Sequence, residues 1–138
     1  MDKKKDISDK LRSTGLRPTK QRVRLAEYLF NRSKTFHFSV ENLDKVINKK
    51  VSEEKIALAT IYNTVNAFKK AGHLKEILLK EGRSYFDTNT TAHHHFYDPD
   101  TNELIDIRFN EIEVTKLPHP PKGKQIKDLE VVIGLKKI

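Results

Sequence analysis

The sequence predicts an α+β protein that begins with a winged helix-turn-helix and ends with a small α/β domain. Three observations favour this class. Helical apolar periodicity extends as far as Gly72, two short apolar stretches around Gly82 follow it, and strand-forming residues predominate after Phe86. We therefore divide the 138 residues into two domains, residues 1–86 and residues 87–138.

The first two helices are predicted by their ends as well as by their apolar faces. Gly15 and Pro18 end a short helix that contains Leu11. Thr19 can cap the second helix through its side-chain oxygen. The apolar stripe of that second helix consists of Val23, Leu25, Ala26, Leu29 and Phe30.

Two further helices are predicted on either side of a polar loop at residues 49–55. Ser39 is a suitable N-cap for the first of them, and Glu41 lies in its first turn. The residues expected to be buried on this helix are Leu43, Val46 and Ile47. The helix after the polar loop covers residues 59–71, and Gly72 ends it. Apolar residues recur on this helix at intervals of three and four residues, so we expect its inward face to consist of Leu58, Ile61, Val65 and Phe68. The residues that fall largely outside this face are Thr60, Asn63, Thr64, Ala67 and Lys70.

A small hairpin follows the helices. Residues 74–79 and 85–86 are apolar stretches that suit two strands, and residues 81–83 suit the turn between them. Helices followed by a two-stranded wing make up a winged helix-turn-helix.

Charge is distributed unevenly along the chain, whose formal net charge is +8. Residues 1–85 contain 20 Lys and Arg against 10 Asp and Glu, whereas residues 86–138 contain 7 against 9. A basic module joined to a slightly acidic one is typical of a nucleic-acid binder with a separate sensing or pairing domain. The alternative is a Lys-rich surface that only keeps the protein in solution.

The helix at residues 59–71 is the candidate reader of a DNA major groove, because this motif docks its second helix there. Asn63 can pair with adenine, Tyr62 offers a ring and a hydroxyl, and Thr60 and Thr64 can hydrogen-bond to the backbone or to base edges. The alternative for Tyr62 is that it packs under the wing. Basic side chains that can anchor the sugar-phosphate backbone are Arg17, Lys20, Arg22 and Arg24.

Three consecutive histidines, His93, His94 and His95, predict metal chemistry in the second domain. Side chains alternate along a strand, so His93 and His95 point one way and His94 the other, and two sites are open. Three carboxylates lie near enough in sequence to complete the coordination shell of a metal ion, namely Asp87, Asp106 and Glu113. The alternative is a solvated polar strand. Because the chain has no cysteine, nitrogen and oxygen must hold any metal.

Several segments together resemble the ferric uptake regulator family of metal-responsive transcription factors. The resemblance rests on the histidine run and on LRSTGLRPTKQR (11–22), HFSVENL (37–43), LATIYNTVNAFKKAGHL (58–74) and YFDTN (85–89). It implies an N-terminal winged helix and a C-terminal α/β dimerisation domain. Asn63 and the HHHFY segment are similar to the iron response regulator branch of that family.

The family's metal residues can be carried over by position. The resemblance implies one site between the two domains at His37, Asp87, His94 and Asp106. It implies a second site, within the dimerisation domain, at His93, His95, Glu113 and Glu130. The cofactors expected are divalent iron, manganese or zinc, and haem is a further candidate through His93, His94 or His95.

Without cysteine, the family's structural zinc cannot form, so packing must hold the dimer together. We expect three elements to supply the apolar packing of the dimer. These are a strand with Leu104, Ile105 and Ile107, a helix with Phe109, Ile112 and Leu117, and a last strand with Leu129, Val131 and Ile133. His73, just past a helix end, and His119, in a loop, are expected to have no ligand role.

The prediction is therefore a cytoplasmic homodimeric repressor of iron homeostasis genes that binds AT-rich double-stranded DNA in response to metal or haem, and not an enzyme or a membrane protein. No apolar run follows the charged N terminus. One alternative is a constitutive DNA-binding protein with structural histidines. A metallohydrolase is the weaker alternative, because five glycines leave little loop for a substrate pocket.

Overall fold

The computed structural model describes residues 3–79 and 82–138. The chain divides into two compact units, Met1–Thr90 and Thr91–Ile138, called here the first and the second unit. The first unit therefore extends a little beyond the predicted domain boundary at residues 86 and 87. The reason lies in its sheet, since Asp87 is the last residue of a strand that belongs to this unit.

The first unit contains four helices and three short strands in its described residues. The helices are α1 (Lys3–Ser13), α2 (Lys20–Phe30), α3 (Val40–Ile47) and α4 (Leu58–Lys70). The strands are β1 (His37–Phe38), β2 (Lys75–Leu78) and β3 (Ser84–Asp87), which form an antiparallel sheet in the order β1-β3-β2. The mixed helix and sheet class and the two-stranded wing are confirmed. Strand β1, which the sequence reading missed, adds a third strand. The predicted turn between β2 and β3 includes Glu81, which lies outside the described residues.

The helix ends follow from named side chains and glycines. Thr19 Oγ1 accepts a hydrogen bond from the Arg22 amide at 3.3 Å, and Ser39 Oγ accepts one from the Asn42 amide at 3.2 Å, so both predicted N-caps are confirmed. Helix α4 ends at Lys70 with Ala71 as its C-cap, and Gly72 follows with a φ of +88°, so that the His73 amide donates to the Phe68 carbonyl at 2.9 Å.

The core of the first unit lies among its helices. Its side chains include Leu25, Leu29, Leu43, Ile61, Val65 and Phe68, each at most 1% exposed. Two predicted core residues are wrong, because Val46 is 47% exposed and Leu58 is 44% exposed. The buried stripe of α3 contains Leu43 and Ile47, and Val46 is about 100° away from Ile47 around the helix. Leu58 is the first residue of α4 and precedes the buried stripe, which begins at Ile61.

The second unit is a three-stranded sheet with a long irregular segment. Strands β4 (His93–Asp98), β5 (Glu103–Arg108) and β6 (Val132–Gly134) have the order β5-β4-β6, with β5 antiparallel and β6 parallel to β4. The predicted helix through Phe109, Ile112 and Leu117 is wrong, because only Phe109–Glu111 forms one turn of 3-10 helix. Beta-branched Ile112 and Val114 favour extended backbone, and the prolines that follow Leu117 cannot continue a helix.

The two faces of this sheet differ in character. The register aligns Phe96 with Ile105 on one side and with Ile133 on the other, so these three apolar side chains share the face that also contains His94. Ile105 is 45% exposed and Ile133 is 38% exposed, whereas Ile107 is buried. The part of this face around Ile105 and Ile133 is therefore apolar and exposed, whereas the part around His94 and Ile107 is buried.

Among the described residues, none of the helices has the length and apolar character required to cross a membrane.

Candidate metal centre and nucleic-acid surface

The strand register brings two of the three consecutive histidines to one carboxylate. His95 is the direct partner of Asp106 across β4 and β5, and His93 lies two residues along the same face. Asp106 Oδ1 is 3.3 Å from His95 Nε2 and 3.4 Å from His93 Nε2, and the two imidazole ring centres are 4.4 Å apart. The candidate ligand atoms of these three residues all lie within 4.8 Å of one another.

Glu130 lies on the other side of the His95 ring. Its Oε1 is 3.0 Å from His95 Nδ1, and because a carboxylate accepts, Nδ1 is the donor in this bond while Nε2 faces Asp106. A carboxylate in this position fixes the orientation and tautomer of a ligating histidine and makes it more basic. Glu130, predicted to be a ligand, therefore has the geometry of a group that orients a ligand.

His94 has different surroundings, as the alternation of side chains requires. Its Nδ1 accepts a hydrogen bond from the Val131 amide at 2.9 Å, and its ring stacks on Phe109 with centres 5.2 Å apart. The predicted grouping of His94 with Asp106 is thus not the one observed. Asp106 shares a face with His93 and His95, because its strand partner is His95.

Two other predicted ligands pair with each other. His37 and Asp87, both in the first unit, are direct partners across β1 and β3, with His37 Nε2 3.2 Å from Asp87 Oδ2. Asp87 is 1% exposed, and its Oδ1 accepts from the Asn89 amide at 2.8 Å. Glu113, in contrast, is exposed, and within the described chain it is not among the residues whose ligand atoms cluster.

The cluster of the second unit fits a divalent metal ion by its donor chemistry. Two imidazole nitrogens and a carboxylate converge there, and such nitrogen and oxygen donors suit zinc, iron and manganese. His93 is 6% exposed and His95 is fully buried, whereas the Asp106 side chain is 50% exposed. The cluster can therefore receive an ion from its solvent side while the imidazoles stay fixed in the sheet.

The outer face of α4 presents a polar stripe. Ala59, Tyr62, Asn63, Asn66 and Lys70 are exposed at helical spacing, and Tyr62 is 45% exposed. Asn66, which the sequence reading did not select, lies one turn beyond Tyr62 on this stripe, and its spacing of four would have identified it.

The two threonines proposed beside this stripe are less accessible. Thr60 is half-buried, and Thr64 is only 4% exposed, so the predicted outward position of Thr64 is wrong. Thr64 follows Ile61 by three residues and precedes Phe68 by four, which places it inside the apolar stripe in spite of its hydroxyl.

The basic residues ahead of α4 divide into two groups. Arg17 and Lys20 are exposed, and Arg22 is half-buried and donates to the Arg17 carbonyl at 3.2 Å. Arg24 has a structural role instead, because its guanidinium bonds to the carbonyls of Ile47 and Glu54 and pairs with Glu53 at 2.8 Å. Arg24 thus fixes the loop before α4 and is not available as a phosphate anchor.

Comparison with known proteins gives consistent matches. The sequence model of the ferric uptake regulator family matches residues 13–133. The chain is 33% identical to the ferric uptake regulation protein of Pseudomonas fluorescens over 107 residues, which are 77% of this chain and 85% of that protein. It is 29% identical to the peroxide operon regulator of Bacillus subtilis over 105 residues, which are 76% of this chain and 70% of that one.

Solved structures agree with this result. The ferric uptake regulator of Vibrio cholerae superposes with a TM-score of 0.71 at 25% identity, covering 94% of this chain and 98% of that one. The ferric uptake regulator of Pseudomonas aeruginosa, solved with manganese, superposes with a TM-score of 0.69 at 27% identity, covering 95% of this chain and 97% of that one.

Proposed function

The chain belongs to the ferric uptake regulator family, and on that premise we propose that it is a metal-responsive DNA-binding repressor of iron homeostasis genes. Its relatives are regulators and not enzymes. The observation that carries the proposal is the convergence of His93, His95 and Asp106 on one face of the second unit's sheet. The narrower resemblance to iron response regulators remains a prediction.

We assign metal binding first to His93, His95 and Asp106, with Glu130 orienting His95. Divalent manganese, iron or zinc would supply positive charge to a group of donors that otherwise relies on hydrogen bonds. His37 and Asp87 are retained as proposed ligands, supported by the resemblance and by their 3.2 Å pairing within the first unit. Glu113 has the least support, because it is exposed in an irregular segment.

DNA binding is proposed for the exposed stripe of α4. Tyr62, Asn63 and Asn66 would meet base edges in the major groove of an AT-rich duplex, because Asn pairs with adenine and an aromatic ring packs on thymine methyl groups. Lys20 and Arg22 would bind phosphates, and Arg17 would lie near the adjacent minor groove. The basic excess of residues 1–85 agrees with this role.

We propose a homodimer formed through the apolar face of the second unit. Phe96, Ile105 and Ile133 form a row across all three strands of that face, and Phe109 beside it is 53% exposed. Pairing two such faces removes apolar area from water, which is the main favourable contribution to association. As its target is DNA, the proposed location is the cytoplasm.

Peroxide and haem are two other candidate signals. The family includes relatives named for peroxide, so peroxide-responsive repression is the second candidate. Haem has less support, because His93, His94 and His95 are 6%, 1% and 0% exposed and a porphyrin must reach a ligand ring. A constitutive DNA-binding protein is the remaining alternative.

One experiment separates these functions. A duplex is selected by the full chain from a random pool, and its affinity is measured with manganese, iron, zinc or haem, and again after peroxide is added to the iron-loaded protein. A metal-responsive repressor should bind the selected duplex about 5 to 150 times more tightly with one of the divalent ions, the usual range of coupling between two sites. Equal affinity under every condition would leave the constitutive binder.

A further inference from the structure

Glu41 and Tyr62 connect the two helices of the helix-turn-helix on their exposed side. The Tyr62 hydroxyl donates to Glu41 Oε1 at 2.5 Å, from the stripe of α4 to the first turn of α3. Both residues are exposed. The hydroxyl is therefore occupied by a protein acceptor on the surface that we assign to DNA.

The hydrogen bonds to Glu41 favour its ionised form. The Tyr62 hydrogen bond is the largest cause that lowers the pKa of Glu41, and a backbone hydrogen bond is the next; burial raises this pKa by less, and the Arg83 guanidinium has the smallest lowering effect. The same bond raises the pKa of Tyr62, which stays a neutral donor. An anion thus lies beside the proposed base-reading side chain, on a surface that meets phosphates of the same sign.

This arrangement has two physical consequences. A fixed hydroxyl restricts the rotation of the Tyr62 ring, so that one edge and one face are presented to a ligand. The carboxylate also repels every phosphate alike, which weakens binding to any sequence, whereas a fixed ring aids only those sequences whose bases fit it.

We propose that Glu41 is a positioning residue that determines DNA specificity, by holding the Tyr62 ring for base contact and by weakening sequence-independent binding. This inference rests on the proposed function of α4. In this proposal the Tyr62 ring contacts the bases, and the Tyr62 hydroxyl does not bind phosphate. It also gives Glu41, a residue outside the reading helix, an effect on which sequence is chosen.

The test compares Glu41→Gln with Glu41→Ala in the full chain loaded with manganese. The probes are a duplex that the wild type selects from a random pool and an unselected pool of the same length. The quantity compared is the specificity ratio, which is the affinity for the selected duplex divided by the affinity for the unselected pool. Glu41→Gln keeps an oxygen acceptor for Tyr62 but removes the charge, so affinity for both probes should rise by the same factor and the specificity ratio should stay unchanged. Glu41→Ala removes the acceptor as well, and its ratio should fall at least about fivefold, the lower limit for one base contact.

Two further variants complete the design. Tyr62→Phe should lower the specificity ratio as Glu41→Ala does, without changing the salt dependence of binding. The double variant Glu41→Ala with Tyr62→Phe should have a specificity ratio no lower than that of either single variant. Glu54→Gln, which removes an exposed carboxylate from the loop before α4, serves as the charge control. Equal ratios for Glu41→Gln and Glu41→Ala would overturn the proposal, as would a Tyr62→Phe variant that loses affinity equally for both probes.

Failure of the proposed function has a different signature. If Asn63→Ala and Tyr62→Ala leave the ratio unchanged, helix α4 does not read bases, and the inference about Glu41 is overturned together with that role. If these two variants lower the ratio but the Glu41 variants do not, only the inference about Glu41 fails.

Discussion

Asp106 lies directly opposite His95 across β4 and β5, with its Oδ1 3.3 Å from His95 Nε2. This pairing is a product of strand register, because a shift of one residue would turn Asp106 to the other face and leave the two imidazoles without that carboxylate. The pairing also explains why His93, two residues away, belongs to the same cluster while His94 does not.

The Asp106→Asn variant should lose metal affinity while keeping the fold. The substitution removes the negative charge and leaves a neutral amide of the same shape, so manganese and zinc should bind about 10 to 100 times more weakly. Titration calorimetry of the purified chain measures this. Glu103→Gln, on the same strand but the opposite face, is the matched control and should bind as the wild type does. Equal affinity for both variants would exclude Asp106 as a ligand.

The His94→Ala variant should lose stability more than metal affinity. The change leaves the Val131 amide without its acceptor and removes the ring that stacks on Phe109, and His94 is 1% exposed. Loss of a buried acceptor and of buried volume should cost about 2 to 4 kcal/mol of unfolding free energy. Urea unfolding of the metal-free chain measures this cost. A variant with wild-type stability and no metal binding would instead restore His94 as a ligand.

Local features were the most predictable from sequence. Thr19 and Ser39 were identified as N-caps, and the alternation of His93, His94 and His95 was identified from strand geometry, because each depends on residues within one element. Asp106 was one of three candidate carboxylates, but its grouping with His93 and His95 could not be identified in this way. It depends on the register between two strands, which residue identities alone leave open.

Three local features were not predicted correctly, each for a different reason. Thr64 is polar but buried, because its position on α4 between Ile61 and Phe68 outweighs its hydroxyl. Residues 109–117 show helical spacing of apolar groups, yet beta-branched side chains and the prolines that follow leave only one turn of 3-10 helix. Strand β1 has only two residues, which is too short for any alternating pattern to reveal.

The Ile105→Asp variant should weaken self-association of the chain. Ile105 aligns with Phe96 in the middle of the apolar face and is 45% exposed, so a charge there would be buried without a partner in a dimer. Sedimentation equilibrium at micromolar concentration should show a shift toward monomer. Val51→Asp, at a loop residue that is 94% exposed, is the control and should leave association unchanged. A wild type that is monomeric under these conditions would contradict the proposed interface.

Stability should fall in mild acid because of His73. Its ring lies near Phe30 and Phe68, its Nε2 is 2.7 Å from Thr14 Oγ1, and burial, followed by the charge of Lys10, lowers its pKa. The unfolded chain therefore binds a proton at a higher pH than the folded one. The contribution of neutral His73 to the free energy of unfolding is complete above the unfolded pKa of about 6.5. It is lost as the pH falls from there through the lower folded pKa.

The measurement is the free energy of unfolding in urea at several pH values between about 7.5 and 5, a range that brackets an ordinary histidine pKa. The wild type should lose stability toward the acid end, and His73→Gln should lose less, because glutamine has no proton to gain. His119→Gln, which changes an exposed loop histidine, is the matched control and should follow the wild type. Metal is omitted so that the other histidines do not add a ligand-dependent change. If His73→Gln and the wild type follow the same pH curve, the folded and unfolded chains protonate this imidazole equally, and the stability of the first unit does not depend on its neutral form.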